Sequence, residues 1–414
     1  MNLRRETGFL FVILLLVLLA LTACQKAEGD PTPTPDRESA QAASTLFAQP
    51  TRQSGPTPTV TPVNEVELEL SRMVADMERA VLAGDGDAYL SHVWEGAALF
   101  REEQVRWVQD WQENPLSAYA INLNGIRAED ADTATARMSI TWSQQTGDLA
   151  GGATISALFC RQDGAWRFAG ENWETLETDG IRLYYFADDL LDNRPQAAIV
   201  AEFLPDIYSR LTHEFDFTPE QPAAIKMYES APTLQTMTRL SIRGLARWNQ
   251  PGEAIKLTLG PSNTAPRESD VAREYAQFLI YELSGGQTSG LPWWVERGTT
   301  AYAESLFRTA SARNRSIKQI AALSAAPATA ERQLFAWDAL QTSPNLDPSE
   351  VELAANQAYT LVHYISETYG REARNDWLRA QLDGQGVDKA AQAALGVSFA
   401  ALESGWREWL TTQL

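Results

Sequence analysis

The sequence predicts an α+β protein with two folded domains. The first is a cone made of helices and a curved antiparallel sheet, and the second combines a small sheet with a mostly helical C-terminal half. Three patterns predict this fold. Apolar residues recur at helical spacing before Gly84, and four runs in which apolar and polar residues alternate lie between residues 119 and 173. Helical periodicity dominates from Ser269 onward. The 414 residues are 44% hydrophobic, which is enough apolar material for two cores.

Residues 1–23 have the layout of a secretory signal peptide. Arg4 and Arg5 precede an apolar run from Phe9 to Leu21, which is shorter than the roughly 20 residues of a transmembrane helix. The Leu-Thr-Ala-Cys ending resembles the lipobox of bacterial lipoproteins. That resemblance implies cleavage before Cys24, a diacylglycerol on its thiol and an acyl chain such as palmitate on the freed amine.

The lipobox resemblance also implies where the protein works. Lipid on Cys24 would hold the mature protein at the extracytoplasmic face of the cell membrane, because several acyl chains anchor firmly whereas one binds only marginally. An uncleaved anchor and an ordinary secretory signal are the alternatives. We expect lipidation, because the cysteine stands where lipoprotein cleavage requires it.

The composition of residues 24–63 predicts a tether. Pro, Thr, Ser, Ala and Gln dominate the segment, with Pro-Thr-Pro-Thr-Pro at 31–35, and this composition cannot bury a core. Polyproline II extends about 3 Å per residue, so the tether can hold the folded domains away from the bilayer.

The acidity of the chain argues against two classes of partner. The formal net charge is -20 and the pI is near 4.6. Nucleic acid and anionic lipid headgroups would both be repelled by such a chain. We therefore expect no nucleic-acid partner.

The order of helical and strand patterns in residues 64–178 predicts the cone. Helical stretches at 66–81 and 87–93 precede strands at 119–127, 133–144, 153–161 and 166–173. This order resembles the nuclear transport factor 2 (SnoaL-like) family, whose members often bind small molecules inside the cone, although some are catalytically silent modules. Five tryptophans are candidates for such a cavity or, more simply, for the core: Trp107, Trp111, Trp142, Trp166 and Trp173. Cys160 lies in an apolar stretch and is expected to be an inert core residue.

Residues 179–414 form the second predicted domain. The pattern predicts strands at 181–186, 224–228 and 254–259 and an amphipathic helix through 197–211, followed by helices to the C-terminus.

Two segments of this domain carry the informative motif. Residues 273–277 read Arg-Glu-Tyr-Ala-Gln, residues 293–298 read Trp-Trp-Val-Glu-Arg-Gly, and 18 residues separate Gln277 from Glu296. In this frame the chain resembles the gluzincin metallopeptidases, most closely their peptidase MA-like branch, which carry HExxH on one helix and a glutamate on the next. Histidines at i and i+4 share one helical face and bind zinc, and the glutamate beside the first activates the zinc-bound water.

The resemblance assigns roles to four positions, and two of the three metal ligands are lost. Arg273 and Gln277 stand at the histidine positions, Glu274 at the general-base position and Glu296 at the third-ligand position. Arginine stays protonated and has no lone pair to offer, and a neutral amide oxygen is a poor zinc ligand. We therefore expect no zinc, no other cofactor and no catalytic residue, with Glu274 a vestigial base.

Substitute ligands are scarce, because the chain contains only His92, His213 and His363. His213-Glu214 begins like the motif but lacks the second histidine.

We expect Arg273 to supply the positive charge that the metal would have provided. Its guanidinium should pair with Glu296 and also with Glu274, while Gln277 hydrogen-bonds in the same cluster, because an unpaired carboxylate in a partly buried cleft is costly. Ordinary solvated helix residues at 273 and 277 are the alternative. The candidates to reach the cleft, for each of which plain packing is the simpler interpretation, are Tyr302, Tyr359, His363 and Tyr364.

The predicted function is that of a membrane-anchored lipoprotein with a catalytically inactive metallopeptidase-like domain in a binding or scaffolding role. The strand at 254–259 stands where gluzincins place the edge strand that pairs with substrate, so we expect a peptide or protein ligand at the cleft. Three alternatives remain open. They are an active zinc peptidase with atypical ligands, a metal-free hydrolase that uses Glu274 and Glu296 as an acid/base pair, and a small-molecule carrier acting through the cone.

Overall fold

A computed structural model describes residues 63–146, 149–242, 250, 252–286, 290–327, 333–342 and 346–414. The predicted signal peptide, Cys24 and the tether up to residue 62 lie outside these residues. One compact unit spans Thr57–Leu414. Within the described ranges, none of the helices has the length and apolarity that a membrane span requires.

The first part of the described chain consists of three helices packed on a four-stranded antiparallel sheet. The elements are α1 (Val63–Ala83), α2 (Gly86–Leu90), α3 (Ala98–Glu113), β1 (Leu116–Ala128), β2 (Thr133–Gln144), β3 (Ala150–Gln162) and β4 (Ala165–Glu171). The sheet order is β1-β2-β3-β4 and each neighbouring pair is antiparallel. The predicted order of helices followed by a meander is confirmed.

The period of two along the strands separates a core face from an outer face. On β2, Ala136, Met138 and Ile140 are buried against the helices, while Arg137 and Thr141 point to the other side. The tryptophans at 107, 111, 142 and 166 are buried in this core, and Trp173 stacks on Phe186 with 4.0 Å between the ring centroids.

Cys160 lies near the end of β3 and is half-buried, so it is not the full core residue that was expected. Burial and the neighbouring Asp130 raise the pKa of its thiol, which favours the unreactive protonated form.

The second part begins with a mixed four-stranded sheet. Its strands are β5 (Glu174–Thr178), β6 (Ile181–Tyr185), β7 (Ala223–Tyr228) and β8 (Ile255–Thr258), in that order across the sheet. β5 and β6 are antiparallel, whereas β6, β7 and β8 are parallel. Helix α4 (Arg194–Phe215) connects β6 to β7, and α5 (Ala231–Thr238) follows β7. β5 precedes the predicted boundary at residue 178, yet it pairs in this second sheet.

The rest of the chain is helical, as predicted. The helices are α6 (Glu268–Leu283), α7 (Trp293–Leu306), α8 (Ala310–Ser324), α9 (Pro348–Tyr369), α10 (Arg371–Leu382), α11 (Val387–Leu395) and α12 (Phe399–Thr411), with short 3₁₀ segments at Pro261–Asn263 and Trp337–Leu340. At Gly298, α7 lies directly on α9, because a Cβ there would be 2.8 Å from the Ala358 carbonyl oxygen. This close contact fixes the position of α7, which carries part of the predicted site.

Candidate functional site

The four motif positions lie on two neighbouring helices, as the sequence predicts. Arg273, Glu274 and Gln277 are on α6, and Glu296 is in the first turn of α7. Positions 273 and 277 are one helical turn apart on the same face of α6. The helical frame of a metallopeptidase site is therefore present.

Arg273 is held by two carboxylates. Its Nε and Nη2 donate to Glu274 Oε1, each at 3.2 Å, and its Nη1 donates to Glu304 Oε2 at 3.3 Å. The exposed fractions of the three side chains are 19%, 7% and 3%. The positive charge thus sits in a partly buried position where both carboxylates are charge-assisted acceptors.

The expected ion pair between Arg273 and Glu296 is absent from the described part of the chain, and this part of the prediction is wrong. Gln277 Nε2 instead donates to Glu296 Oε1 at 3.2 Å. The two contacts imply that α6 and α7 run in opposite directions. Glu296 and Glu304 are eight residues, or about 12 Å, apart along α7, whereas Arg273 and Gln277 are four residues, or about 6 Å, apart along α6. The Arg273 side chain therefore reaches toward Glu304 and away from Glu296.

Glu296, unlike Glu274 and Glu304, forms no ion pair with an arginine in the part of the chain that the structure describes. Burial raises the pKa of Glu296, and the neighbouring Arg297 opposes that rise only in part. Its one described hydrogen bond comes from a neutral amide, which stabilises an ionised carboxylate less than a guanidinium does.

Glu304 is the site residue that sequence reasoning missed. Its Oε2 accepts from Arg273, and its Oε1 accepts from Arg308 Nη2 at 2.5 Å. The signal that was available is the i, i+4 spacing of Glu304, near the end of a helix that already carried a motif residue, and Arg308 just beyond that helix. Nothing in that spacing points to Arg273, which is 31 residues away.

These residues do not fit a zinc ion. Arg273 places a permanent positive charge against Glu274, which is the residue that would have to act on zinc-bound water. The side-chain amide of Gln277 is hydrogen-bonded to Glu296. In the described ranges, no group of three or more His, Cys, Asp or Glu side chains is arranged to hold a metal.

Two cavities meet at Glu274. The first is a narrow cleft of about 310 Å³ between residues 252–255, at the start of β8, and Gln277, Phe278 and Tyr281 of α6. The second is a groove of about 1370 Å³ bounded by α6, α7, α8 and α9. β8 is the outermost strand of its sheet, so the narrow cleft follows a sheet edge.

Of the four predicted cleft residues, Tyr359 alone lines either of these cavities. It is 2% exposed and forms part of the groove wall. His363 packs between the rings of Tyr359 and Trp409, and Tyr364 packs against Trp409. Tyr359 and His363 are one turn apart on the same face of α9, whereas Tyr364 is about 100° further round the helix.

Tyr302 points away from the cleft into a cluster of buried polar groups. Its hydroxyl donates to Glu214 Oε1 at 2.9 Å, and Arg374 Nη1 donates to the same oxygen at 2.5 Å. Burial opposes ionisation of Glu214, but the hydrogen bond and the charge of Arg374 outweigh it and lower the pKa. Arg371 bonds to His213, so the segment that began like a second metal motif is structural.

The interior of the first-part cone is already filled by the chain itself. Trp107 Nε1 donates to the Thr236 carbonyl at 3.1 Å and Trp142 Nε1 to the Thr236 hydroxyl at 3.2 Å. Thr236 and Met237, both from α5, line the small space that remains, together with Trp107 and Tyr119. Side chains of the protein occupy most of the interior, so the cone offers little room for a carried ligand.

A buried ion cluster, formed by Glu103, Glu171, Lys226, Glu253 and Lys256, joins the two parts of the protein. Glu103 Oε2 is 2.5 Å from Lys226 Nζ, its Oε1 is 3.0 Å from Lys256 Nζ, and Lys256 is also 2.5 Å from Glu253. Burial opposes ionisation of Glu103, but Lys226 and Lys256 outweigh it and lower its pKa to about 2. Glu103 Oε1 also accepts from the Ala254 amide at 3.3 Å, so α3 supports the start of β8.

One comparison with known protein families bears on the second part of the chain. A family model described as the peptidase MA superfamily matches residues 206–412, which is half of the chain. No curated protein matches the chain.

Two solved structures illustrate what else the chain resembles. An NTF-2-like protein of unknown function from Shewanella oneidensis is 14% identical, with 25% of this chain and 94% of that chain covered and a TM-score of 0.23. A protein from Novosphingobium aromaticivorans described as a candidate scytalone dehydratase is 15% identical, with 26% and 81% covered and a TM-score of 0.22. Likenesses of this size carry no argument about activity.

Proposed function

Because this chain belongs to the peptidase MA superfamily through residues 206–412, we propose that it is a metal-independent binding member of that superfamily. Its ligand is an extended peptide or protein segment, taken up at the cleft beside Glu274. The observation that carries the proposal is Arg273, which stands at the first ligand position and is held by Glu274 and Glu304.

The local chemistry supports binding and not hydrolysis. A gluzincin needs its motif glutamate to take a proton from zinc-bound water. In this protein Glu274 is the acceptor of two guanidinium N–H groups, and Glu296 accepts from Gln277. Displacing Arg273 from Glu274 would leave a buried carboxylate without its partner, so this acid is not free to act as a base.

The cleft geometry supports an extended ligand. β8 is the last strand of its sheet, and the segment 252–255 forms one wall of the narrow cleft. Gly252 is exposed at the cleft, whereas Ile255, Lys256 and Leu257 are buried, so an extended peptide would meet this edge through main-chain hydrogen bonds just before β8. The wider groove continues from Glu274 and offers space for ligand side chains.

We further propose that lipid on Cys24 anchors the protein at the extracytoplasmic face of the cell membrane. The Leu-Thr-Ala-Cys ending of the apolar run at 9–21 supports this placement. Cells that express the full chain should incorporate labelled palmitate into it and retain it in the membrane fraction. The Cys24→Ser variant should lose the label, and a wild type without label would contradict the anchor.

The metal content of the purified chain tests the proposed loss of catalysis. We expect far less than one zinc per chain, and no chelator-sensitive cleavage of an unfolded casein. Stoichiometric zinc or such cleavage would overturn the proposal in favour of an active peptidase.

A reconstruction experiment tests the helical frame separately. Arg273→His combined with Gln277→His should create a zinc site, because Glu296 then completes a His, His, Glu set. The matched control adds Glu296→Gln, which should weaken zinc binding by at least about tenfold through loss of the anionic third ligand. Equal zinc binding by both variants, or by neither, would show that the frame does not place Glu296 opposite the two histidines.

A further inference from the structure

The groove beside Glu274 concentrates arginine in a strongly acidic chain. We call it the arginine groove, because its walls carry Arg273, Arg297, Arg308 and Arg315. The whole chain has 34 Lys and Arg against 54 Asp and Glu, so four cations around one groove are a local reversal of the overall charge. All four are arginine, whose planar guanidinium matches the geometry of a carboxylate.

Two of these arginines are already neutralised within the protein. Arg273 and Arg308 share Glu304, which is 3% exposed, and Arg273 also holds Glu274. Two guanidinium groups therefore face two carboxylates, and this pairing adds no net charge to the groove.

The other two arginines keep their charge available for a ligand. Arg297 and Arg315 are exposed, and neither forms an ion pair with a carboxylate in the part of the chain that the structure describes. Arg297 lies near the Trp293 ring, with its guanidinium carbon 6.0 Å from the ring centroid. Glu352 is the third carboxylate of the lining, so the groove as a whole carries one excess positive charge.

We propose that the arginine groove binds carboxylate groups of the ligand, with Arg297 and Arg315 as specificity-determining residues. This inference rests on the proposed function and names its ligand class, a peptide segment with acidic side chains or a free C-terminus. Both cavities have Glu274 in their lining, so a peptide that occupied both would pass this residue.

The charge of the groove favours carboxylate over phosphate. One excess positive charge matches a singly charged carboxylate, whereas a phosphate places about 1.5 to 2 negative charges on a single group at neutral pH. The carboxylates of a peptide are instead spaced along its chain. The oxygens of Glu274, Glu304 and Glu352 in the same lining would repel the additional charge. Because salt screens charges beyond about 8 Å at physiological ionic strength, the groove can attract an anion although the whole chain is acidic.

Binding of three synthetic peptides tests the inference. Each is a twelve-residue chain of alternating Ser and Val. The first peptide contains two Asp residues and has a free C-terminus. The second has Asn in place of both Asp residues and keeps the free C-terminus, and the third has the same Asn residues and an amidated C-terminus. Fluorescence anisotropy at about 0.15 M salt measures their affinities for the wild type, for the Arg297→Gln/Arg315→Gln variant, and for Arg72→Gln. Arg72 is an exposed arginine on α1, outside the groove, and serves as the matched control.

We expect the first peptide to bind most tightly to the wild type and to Arg72→Gln. The double variant should bind it about a hundredfold more weakly, since each arginine contributes about one charge-assisted hydrogen bond worth tenfold. The double variant and the wild type should bind the third peptide with the same affinity, because this peptide has no carboxylate. If the second peptide retains most of the affinity, the C-terminal carboxylate is the group bound; if it loses most of it, the acidic side chains are.

Three results would overturn the carboxylate inference while the proposed function stands. The first is equal binding of all three peptides with no effect of the double variant. The second is displacement of the first peptide by an equal concentration of inorganic phosphate. The third is binding of phosphatidylglycerol vesicles that the double variant abolishes. If no peptide binds the wild type, the inference and the proposed function both fail.

Discussion

Removing the charge of Glu103 should destabilise the protein more than any conservative surface change. The Glu103→Gln variant leaves Lys226 and Lys256, which are 4% and 1% exposed, without their shared carboxylate. Linkage converts the difference between the ordinary pKa of 4.5 and the folded value of about 2 into about 3 kcal/mol at neutral pH. Breaking a buried ion pair costs about 3 to 5 kcal/mol, so the two approaches agree. We expect a loss of stability near the lower end of this range, about 3 kcal/mol, because Lys256 keeps its ion pair with Glu253 at 2.5 Å.

Urea unfolding of the compact unit Thr57–Leu414, followed by tryptophan fluorescence, measures this effect. The matched control is Glu102→Gln, one position earlier on α3, where the carboxylate is 55% exposed and 3.7 Å from Arg106. Exposed pairs contribute at most about 1 kcal/mol, so the control should remain close to the wild type.

The pH dependence gives a second, independent check. The folded-state pKa of Glu103 is depressed, so its contribution is present above the unfolded pKa and is lost as the pH falls toward about 2. The stability difference between wild type and Glu103→Gln should therefore shrink between about pH 4.5 and pH 2. Equal stability of the Glu102 and Glu103 variants at pH 7, or a difference that persists unchanged in acid, would refute the reasoning.

Three further substitutions test the site and its frame. Glu304→Gln removes the carboxylate that two arginines share and should cost about 1.5 to 3 kcal/mol in urea unfolding, the range for hydrogen bonds to charged groups. Glu296→Gln should leave stability at pH 7 unchanged or raise it by about 1 kcal/mol, since burial raises the pKa of Glu296. The wild type, unlike this variant, should lose stability as the pH rises through that folded pKa. Gly298→Ala should cost about 1 to 3 kcal/mol, because its Cβ would meet backbone at 2.8 Å, whereas Gly290→Ala, with open space around it, should be neutral or slightly stabilising.

The strands and the long helices were predictable because local periodicity reports them. β2 has the predicted bounds, and the helical half follows from Ser269 as expected. Helix α3 was missed for a physical reason. Its buried face includes Glu103 and Asp110, whose partners come from the second part of the chain, so the polar residues hide the helical pattern.

The candidate site was predictable in its chemistry but not in its pairing. The identity of Arg273 and Gln277 at the two ligand positions needs no fold, because a guanidinium cannot bind zinc wherever it lies. The choice of Glu304 over Glu296 as the partner of Arg273 depends on the direction in which α7 passes α6. No local sequence pattern specifies the direction in which one helix passes another.

The sequence by itself determined the types of most elements and the absence of histidine from positions 273 and 277, because these follow from short-range spacing and residue identity. The tertiary structure alone decided which carboxylate holds Arg273, that α5 fills the cone, and that Glu103 joins two lysines 123 or more residues away. Contacts of this kind depend on how whole elements pack, and packing is settled by the shapes of many side chains together.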